Sequence, residues 1–416
     1  MQNHAERVQW LLDQQRYPLA LDVLYQWLSE APDKPLVHAF LALCHSELRQ
    51  LEPALEHAQQ AVALGPHLSY CHYIVGVVHQ DKGNLKAAHE AYLAALQIDP
   101  EDADYHTRLG LIYWQQARWS AALKEAEIAL NYTPDHVDAL NLRSMVLVRM
   151  GAGSEAVANL NVALSHNPEN PRTHANRGWS LLHAQNHKEA LNAFREALRL
   201  DPQLEWAREG MLEALKARYR LYRIFQRYRF WMSRYGGRQQ LVVMICWILG
   251  LRLIFAYSGE SWPALTLGMM GVYFSFVLMT WLIEPLFNVV LSFDAHGKYL
   301  LTPVEHRDAR HMGLLLSLGI ALVMAGLLSP FTSLLLGGSL CLFMLIPLSG
   351  TQSTTHAPHR SFLSYYTLFL ALLAAGTVMS WALGAHNAFL FSLISFGIAW
   401  LAFSWTANLL YLKSPP

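Results

Sequence analysis

Along residues 1–204 the small and apolar positions recur with a fixed 34-residue period. Ala20, Ala54, Ala88, Ala122, Ala156 and Ala190 stand 34 residues apart, as do Pro32, Pro66, Pro100, Pro134, Pro168 and Pro202. Counting positions from residues 1, 35, 69, 103, 137 and 171, position 8 reads Val8, Ala42, Gly76, Gly110, Ser144 and Gly178. Position 27 reads Trp27, Ala61, Ala95, Ala129, Ala163 and Ala197. Small residues are needed where two helices approach closely, and a proline closes the second helix of each pair. The period predicts six helix-turn-helix units stacked in one superhelix.

Beyond this array the pattern changes twice. Lys216 to Arg238 holds eight basic residues and no acidic one. At 100° per residue, Lys216, Arg220, Arg223, Arg227, Arg234 and Arg238 share a face, opposite Leu221, Ile224, Phe225, Tyr228, Met232 and Tyr235. That spacing predicts an amphipathic helix, ended by Gly236-Gly237. From Leu241 onward six apolar runs follow, at about 240–257, 263–284, 312–329, 331–349, 362–384 and 388–411, each near the ~20 residues that cross a bilayer. Ser329-Pro330 predicts a tight hairpin, and Pro285 a break before a short interfacial helix at Asn288–Phe293.

The expected architecture is therefore all-α: a superhelical solenoid of six repeats over 1–204, then a capping helix and a basic amphipathic juxtamembrane helix over 205–238. A polytopic transmembrane domain of about six spans fills 239–416. A cationic helix beside a span suits an anionic leaflet, so Lys216, Arg220, Arg223, Arg227, Arg234 and Arg238 are candidate lipid-binding residues. Lys298, Arg307, Arg310, Arg360 and Lys413 fall on the same side as that helix, which predicts a multi-pass inner-membrane protein with the repeats and both termini cytoplasmic. The first residues lack a basic stretch followed by an apolar core, consistent with that orientation.

Charge sharpens the picture. Residues 1–204 carry 16 Lys+Arg against 23 Asp+Glu, while 205–238 carry nine against three. An acidic array is not a nucleic-acid binder. Cys44, Cys71, Cys246 and Cys341 show no metal or disulfide spacing and are expected to be reduced packing thiols.

The period, the small residues and the closing prolines resemble the tetratricopeptide repeat family; Leu109–Tyr113, Ala122, Ala129 and Pro134 carry its pattern best. The membrane half resembles only bacterial tetratricopeptide membrane proteins without an assigned activity. The resemblance implies that positions 2, 5, 9, 12 and 13 face a concave groove. There stand Leu43, Tyr70, Tyr73, Val77, Leu111, Trp114, Asn141, Met145 and Trp179, the candidate partner-binding residues. The Lys, Asn and Arg set that clamps a terminal carboxylate in some members is missing, so an apolar or amphipathic peptide is the expected ligand. The same positions also suit packing between repeats.

His4, His38, His72, His106 and His174 recur at position 4, too far apart for one metal ion to bridge, and are expected to pack or hydrogen-bond. Within the apolar runs the ionisable residues are Arg252 and Glu284, placed at different depths and so not expected to pair. The inner loops hold Asp294, His296, Glu305, His306, Asp308, His311, His356 and His359 without a known ligand spacing. No catalytic residue, metal ligand or cofactor is assigned. The leading expectation is a non-enzymatic scaffold or receptor that holds a protein partner at the membrane. The alternatives are a membrane-embedded, metal-dependent enzyme built on those loops, and a subunit of a transport or envelope-assembly complex that binds other integral membrane proteins.

Overall fold

The computed structural model describes residues 2–233, 235, 242, 246, 250, 263–295, 297–352, 354 and 357–413, and among these there is no strand. The chain divides into two compact units, Met1–Met211 with Phe230–Gly236, and Leu212–Arg229 with Gly237–Pro416.

In the first unit each 34-residue period folds as two antiparallel helices, from Gln2–Asp13 and Tyr17–Glu30 to Pro171–His183 and His187–Leu200, followed by Glu205–Lys216. The alanines at position 20 are fully buried in every repeat. Where position 24 is aromatic, position 8 is glycine. A Cβ at Gly178 would lie 2.6 Å from the Phe194 ring, and Gly76 faces Tyr92 in the same way. Tyr92 and Phe194 are thereby fully buried.

The turn inside each repeat is a left-handed residue at position 15: Gln15, Arg49, Gly83, Ala117, Gly151 and Gln185, with φ from 56° to 90°. The next amide closes a bond to a carbonyl five residues earlier, as in Arg16 N to Leu11 O and Arg118 N to Tyr113 O, both 2.9 Å. That is the Schellman ending, which satisfies the orphan carbonyls of a helix terminus. The position-4 histidines fix the junction between repeats. Nε2 of His38, His72, His106 and His174 donates to the carbonyls of Pro32, Pro66, Pro100 and Pro168 at 3.1, 2.9, 3.0 and 2.9 Å. These prolines follow the C-caps of the preceding helices, so each imidazole takes up a carbonyl of the turn between repeats.

In the second unit four described helical runs are long and apolar enough to cross a membrane: Pro303–Leu328, Thr332–Gln352, Pro358–Ala382 and His386–Ala407. They match four of the six expected runs. The expected span at 240–257 lies outside the described residues, and that at 263–284 lies within the 31-residue helix Pro263–Phe293. The hairpin at Ser329-Pro330 is present between Pro303–Leu328 and Thr332–Phe343. Its helices touch through glycine: a Cβ at Gly338 would meet Val323 N at 2.6 Å, and one at Gly326 would meet Leu335 Cα at 2.8 Å. Small residues let apolar helices pack without a hydrophobic drive between them.

Pro285 does not break its helix, which continues to Phe293. Proline withholds the amide that would bond the carbonyl four residues back. That carbonyl, Trp281 O, accepts the Ser349 hydroxyl at 2.6 Å instead. A hydroxyl from a neighbouring helix thus repairs the ladder.

Candidate functional site

The first helices of the repeats carry the groove candidates. Leu43, Tyr70, Tyr73, Leu111, Trp114, Met145 and Trp179 are half-buried, while Val77 and Asn141 are buried. Several of these residues form one aromatic file. Tyr70 lies 5.7 Å from Phe40 and stacks on Tyr73 at 5.9 Å, and Tyr73 stacks on Tyr105 at 5.0 Å. Burial pushes the Tyr70 phenol well above its ordinary pKa, so it stays protonated as a donor. Phe40 and Tyr105 stand outside the groove positions and are missed by a reading from them.

Arg108 lies within this file and was not among the sequence candidates. Burial disfavours its charge, but Tyr73 and Tyr92 beside it and a hydrogen bond to Tyr73 more than offset that and raise its pKa. The acidic groups nearby are partly engaged, since Asp104 Oδ1 accepts from His136 Nε2 at 3.1 Å.

Toward residue 206 the groove side chains bind one another. Trp179 stacks on Trp206 at 4.7 Å and donates through Nε1 to the Trp206 carbonyl at 3.1 Å. Trp206 Nε1 donates to Asn176 Oδ1 at 3.1 Å, and Asn176 Nδ2 to Asn141 Oδ1 at 3.0 Å. Asn141 Nδ2 donates in turn to Thr173 Oγ1 at 2.9 Å. Trp114 packs edge-on to Trp119 at 6.3 Å. Trp179 and Asn141 therefore belong to the packing between repeats, and Trp114 packs within its own repeat.

The basic segment differs from its helical-wheel pattern. Residues 205–232 form two helices, Glu205–Lys216 and Arg220–Met232, and Lys216 ends the first of them. Tyr222 and Phe225 are buried against Ile283, with Tyr228, Met279 and Phe287 around them, while Leu221 and Ile224 stay exposed. The buried stripe instead includes Gln226 and leads to Arg229, because a carboxylate waits there. Glu213, 6% exposed, accepts from Tyr222 Oη at 2.7 Å, Gln226 Nε2 at 3.2 Å and Arg229 Nη2 at 2.9 Å. Arg229 Nη1 also reaches Glu284 Oε1 at 3.2 Å.

Glu284 thus pairs with Arg229; Arg252 lies outside the described residues. Lys216 is buried over the Tyr222 ring, its Nζ 5.8 Å from the centroid. Of the lipid candidates Arg220 and Arg227 are exposed and Arg223 is half-buried; Arg234 and Arg238 lie outside the described residues.

Of the His, Asp and Glu residues singled out over 294–359, several hold structural partners. Asp308 pairs with Arg360 through two bonds of 2.8 and 3.1 Å. Glu305 and Thr302 form a capping box at the start of Pro303–Leu328, and His306 Nε2 meets the Lys298 carbonyl. His296 and His356 are outside the described side chains. Among the described residues no three His, Cys, Asp or Glu side chains gather as a metal site.

Residues 76–116 match the family described as TPR repeat, and residues 107–164 and 171–204 match the family described as tetratricopeptide repeat. No curated protein matches the chain. Among solved structures it is similar to YrrB, described as a TPR protein with an unusual peptide-binding site, at 21% identity and TM-score 0.33 over 45% of this chain and 96% of that one. It is also similar to Pseudomonas aeruginosa pilF, at 18% identity and TM-score 0.39 over 48% and 88% of the two chains. A tetratricopeptide repeat protein from Parabacteroides merdae aligns at 15% identity and TM-score 0.44 over 51% and 83%. The segment from residue 76 to residue 204 is built of tetratricopeptide repeats.

Proposed function

We propose that the chain is a membrane-anchored scaffold whose solenoid docks an apolar or amphipathic segment of a protein partner at the cytoplasmic face of the inner membrane. The observation that carries this is the aromatic file Phe40–Tyr70–Tyr73–Tyr105, which runs across successive first helices with Phe40, Tyr70 and Tyr73 only partly covered. Aromatic side chains bury large area at low entropic cost and are enriched among binding hot spots. Leu43, Leu111 and Met145 extend the surface with aliphatic side chains. Replacing Tyr70 or Leu111 with Ala is expected to weaken partner capture by about 1.5–3 kcal/mol, with little dependence on salt. Thermal melting is the control. If both variants stay folded and hold every partner as well as the parent, the docking role is lost.

The exposed Arg220 and Arg227, with Arg223 beside them and Leu221 and Ile224 on the same helix, support a lipid contact at the headgroup layer. In nanodiscs, changing the three arginines to Gln should lower retention of anionic over zwitterionic lipid, and the loss should shrink at high salt. Equal retention at low salt removes the lipid role. Cysteine labelling tests the orientation: reaction of a probe at residue 130 from the periplasmic side contradicts it. The enzymatic alternative gains no support from the loops, whose Asp308, Glu305 and His306 are engaged in capping and pairing.

A further inference from the structure

The second repeat encloses three imidazoles. His38 and His45 on the helix Pro35–Glu47 are buried, and His57 on Leu51–Leu64 is half-buried. The protons of His38 and His57 follow from a carbonyl that only accepts. His38 Nε2 faces the Pro32 carbonyl at 3.1 Å and must carry a proton there. Neutral His38 then has a lone pair on Nδ1, which lies 3.1 Å from His57 Nδ1, so His57 is the donor. His45 donates from Nδ1 to Gln50 Oε1 at 2.6 Å and accepts the Tyr25 hydroxyl on Nε2 at 3.0 Å. The His45 ring stacks on His57 at 5.7 Å. The two facing Nδ1 atoms of His38 and His57 share one proton, and a second would have no acceptor between them. Charging His38 would set one N–H against another across 3.1 Å.

The groups facing His57 are His38 and His45 from Pro35–Glu47 and Glu56 and Gln60 from its own helix, while Tyr25 from Tyr17–Glu30 and Gln50 from the turn face His45. Glu56 is the only carboxylate among them and it is exposed, so water screens it. Burial, with His38 and His45 beside it, holds His57 below the usual imidazole range.

The fourth repeat supplies the comparison. His106 occupies the position of His38 and makes the same bond to a proline carbonyl, at 3.0 Å. Position 23, which is His57 in the second repeat, is Glu125 here, and His106 Nδ1 reaches Glu125 Oε2 at 2.8 Å. A proton on His106 strengthens that contact; a proton on His38 destroys its counterpart.

We propose that the second repeat is an acid-labile joint of the solenoid: proton uptake by the His38–His57 pair frees Leu51–Leu64 from Pro35–Glu47, while the fourth repeat tightens under the same acidification. The sign follows from linkage. A buried histidine with a folded-state pKa below its unfolded value costs stability as pH falls below about 6.5, because the unfolded chain takes up the proton first. Helix Pro35–Glu47 also bears Phe40 and Leu43, so acid loosens the edge of the aromatic file, whatever that file binds.

Hydrogen exchange of the full chain in nanodiscs at pH 7.5 and 5.5, corrected for intrinsic rates, tests this. Protection over residues 51–64 is expected to fall by about tenfold per imidazole whose charging is opposed, while that over 119–132 holds or rises. His57→Glu copies the fourth repeat and should abolish or reverse the fall; Glu125→His should create one over 119–132. Equal protection over 51–64 at both pH values overturns the proposal, as does a fall over 51–64 that survives His57→Glu with no new one in Glu125→His.

Discussion

Two side chains at one repeat position show how residue chemistry sets the behaviour of this array. Position 23 is Glu125 in the fourth repeat, where it meets His106 Nδ1 at 2.8 Å, both side chains being largely covered at 15% and 11% exposure. Burial works against the charged His106, but the bonds to Glu125 and to the Pro100 carbonyl outweigh it and raise its pKa. A raised histidine contributes stability that is full below its unfolded pKa and is lost as pH rises through the folded value. Glu125→Gln should therefore lower the His106 pKa, read from its imidazole carbon shifts. It should cost about 1.5 kcal/mol of stability at pH 6 and almost nothing at pH 8.5. A pKa unchanged by the substitution would show that the pair carries no charge coupling. The position-4 histidines were expected to pack or hydrogen-bond from their spacing alone; the carbonyl they take up was not legible, because it depends on the turn geometry after each proline.

The helices repeat this division between what sequence spacing carries and what tertiary contacts decide. Small residues at position 8 mark a close helix pair in any one repeat, and Gly178 against Phe194 is that contact. The left-handed turn at position 15 is hidden, since only Gly83 and Gly151 announce it; Gln15, Arg49, Ala117 and Gln185 adopt the same region at a steric cost. Ala117→Gly, at φ 57°, should raise stability by up to about 1 kcal/mol. Gly83→Ala, at φ 76°, should lower it by a similar amount. Opposite signs in thermal unfolding would mean that unfolded-chain entropy, not turn strain, dominates there. In the basic helix, periodicity separated the cationic from the apolar positions but did not show which side chains turn inward. Tyr222, Gln226 and Arg229 turn inward because Glu213 supplies acceptors for all three. A buried carboxylate left unpaired would cost several kcal/mol, so its partners override the wheel.

For the molecule as a whole, the 34-residue period and the apolar runs told repeats from membrane-type helices before any coordinates. Breaks inside an apolar run were less legible: 331–349 folds as two helices, Thr332–Phe343 and Leu345–Gln352, joined within one stretch. Groove positions were legible as a set but not in their division of labour. Tyr70 and Tyr73 stack in a file, whereas Trp179 is tied to Trp206 by a ring stack and a hydrogen bond.

The central proposal is that the first-helix face of the repeats holds a protein partner. Its most direct measurement is site-specific photocrosslinking in intact membranes, with the reactive residue placed at Leu111 on the first helix of the fourth repeat or at Glu127 on its second helix, which is exposed. A discrete protein adduct is expected from position 111, absent from position 127 and lost when Tyr73→Ala is added to a chain that still melts like the parent. Identical adducts from both positions, or none from 111 while 127 crosslinks efficiently, would contradict docking in the groove.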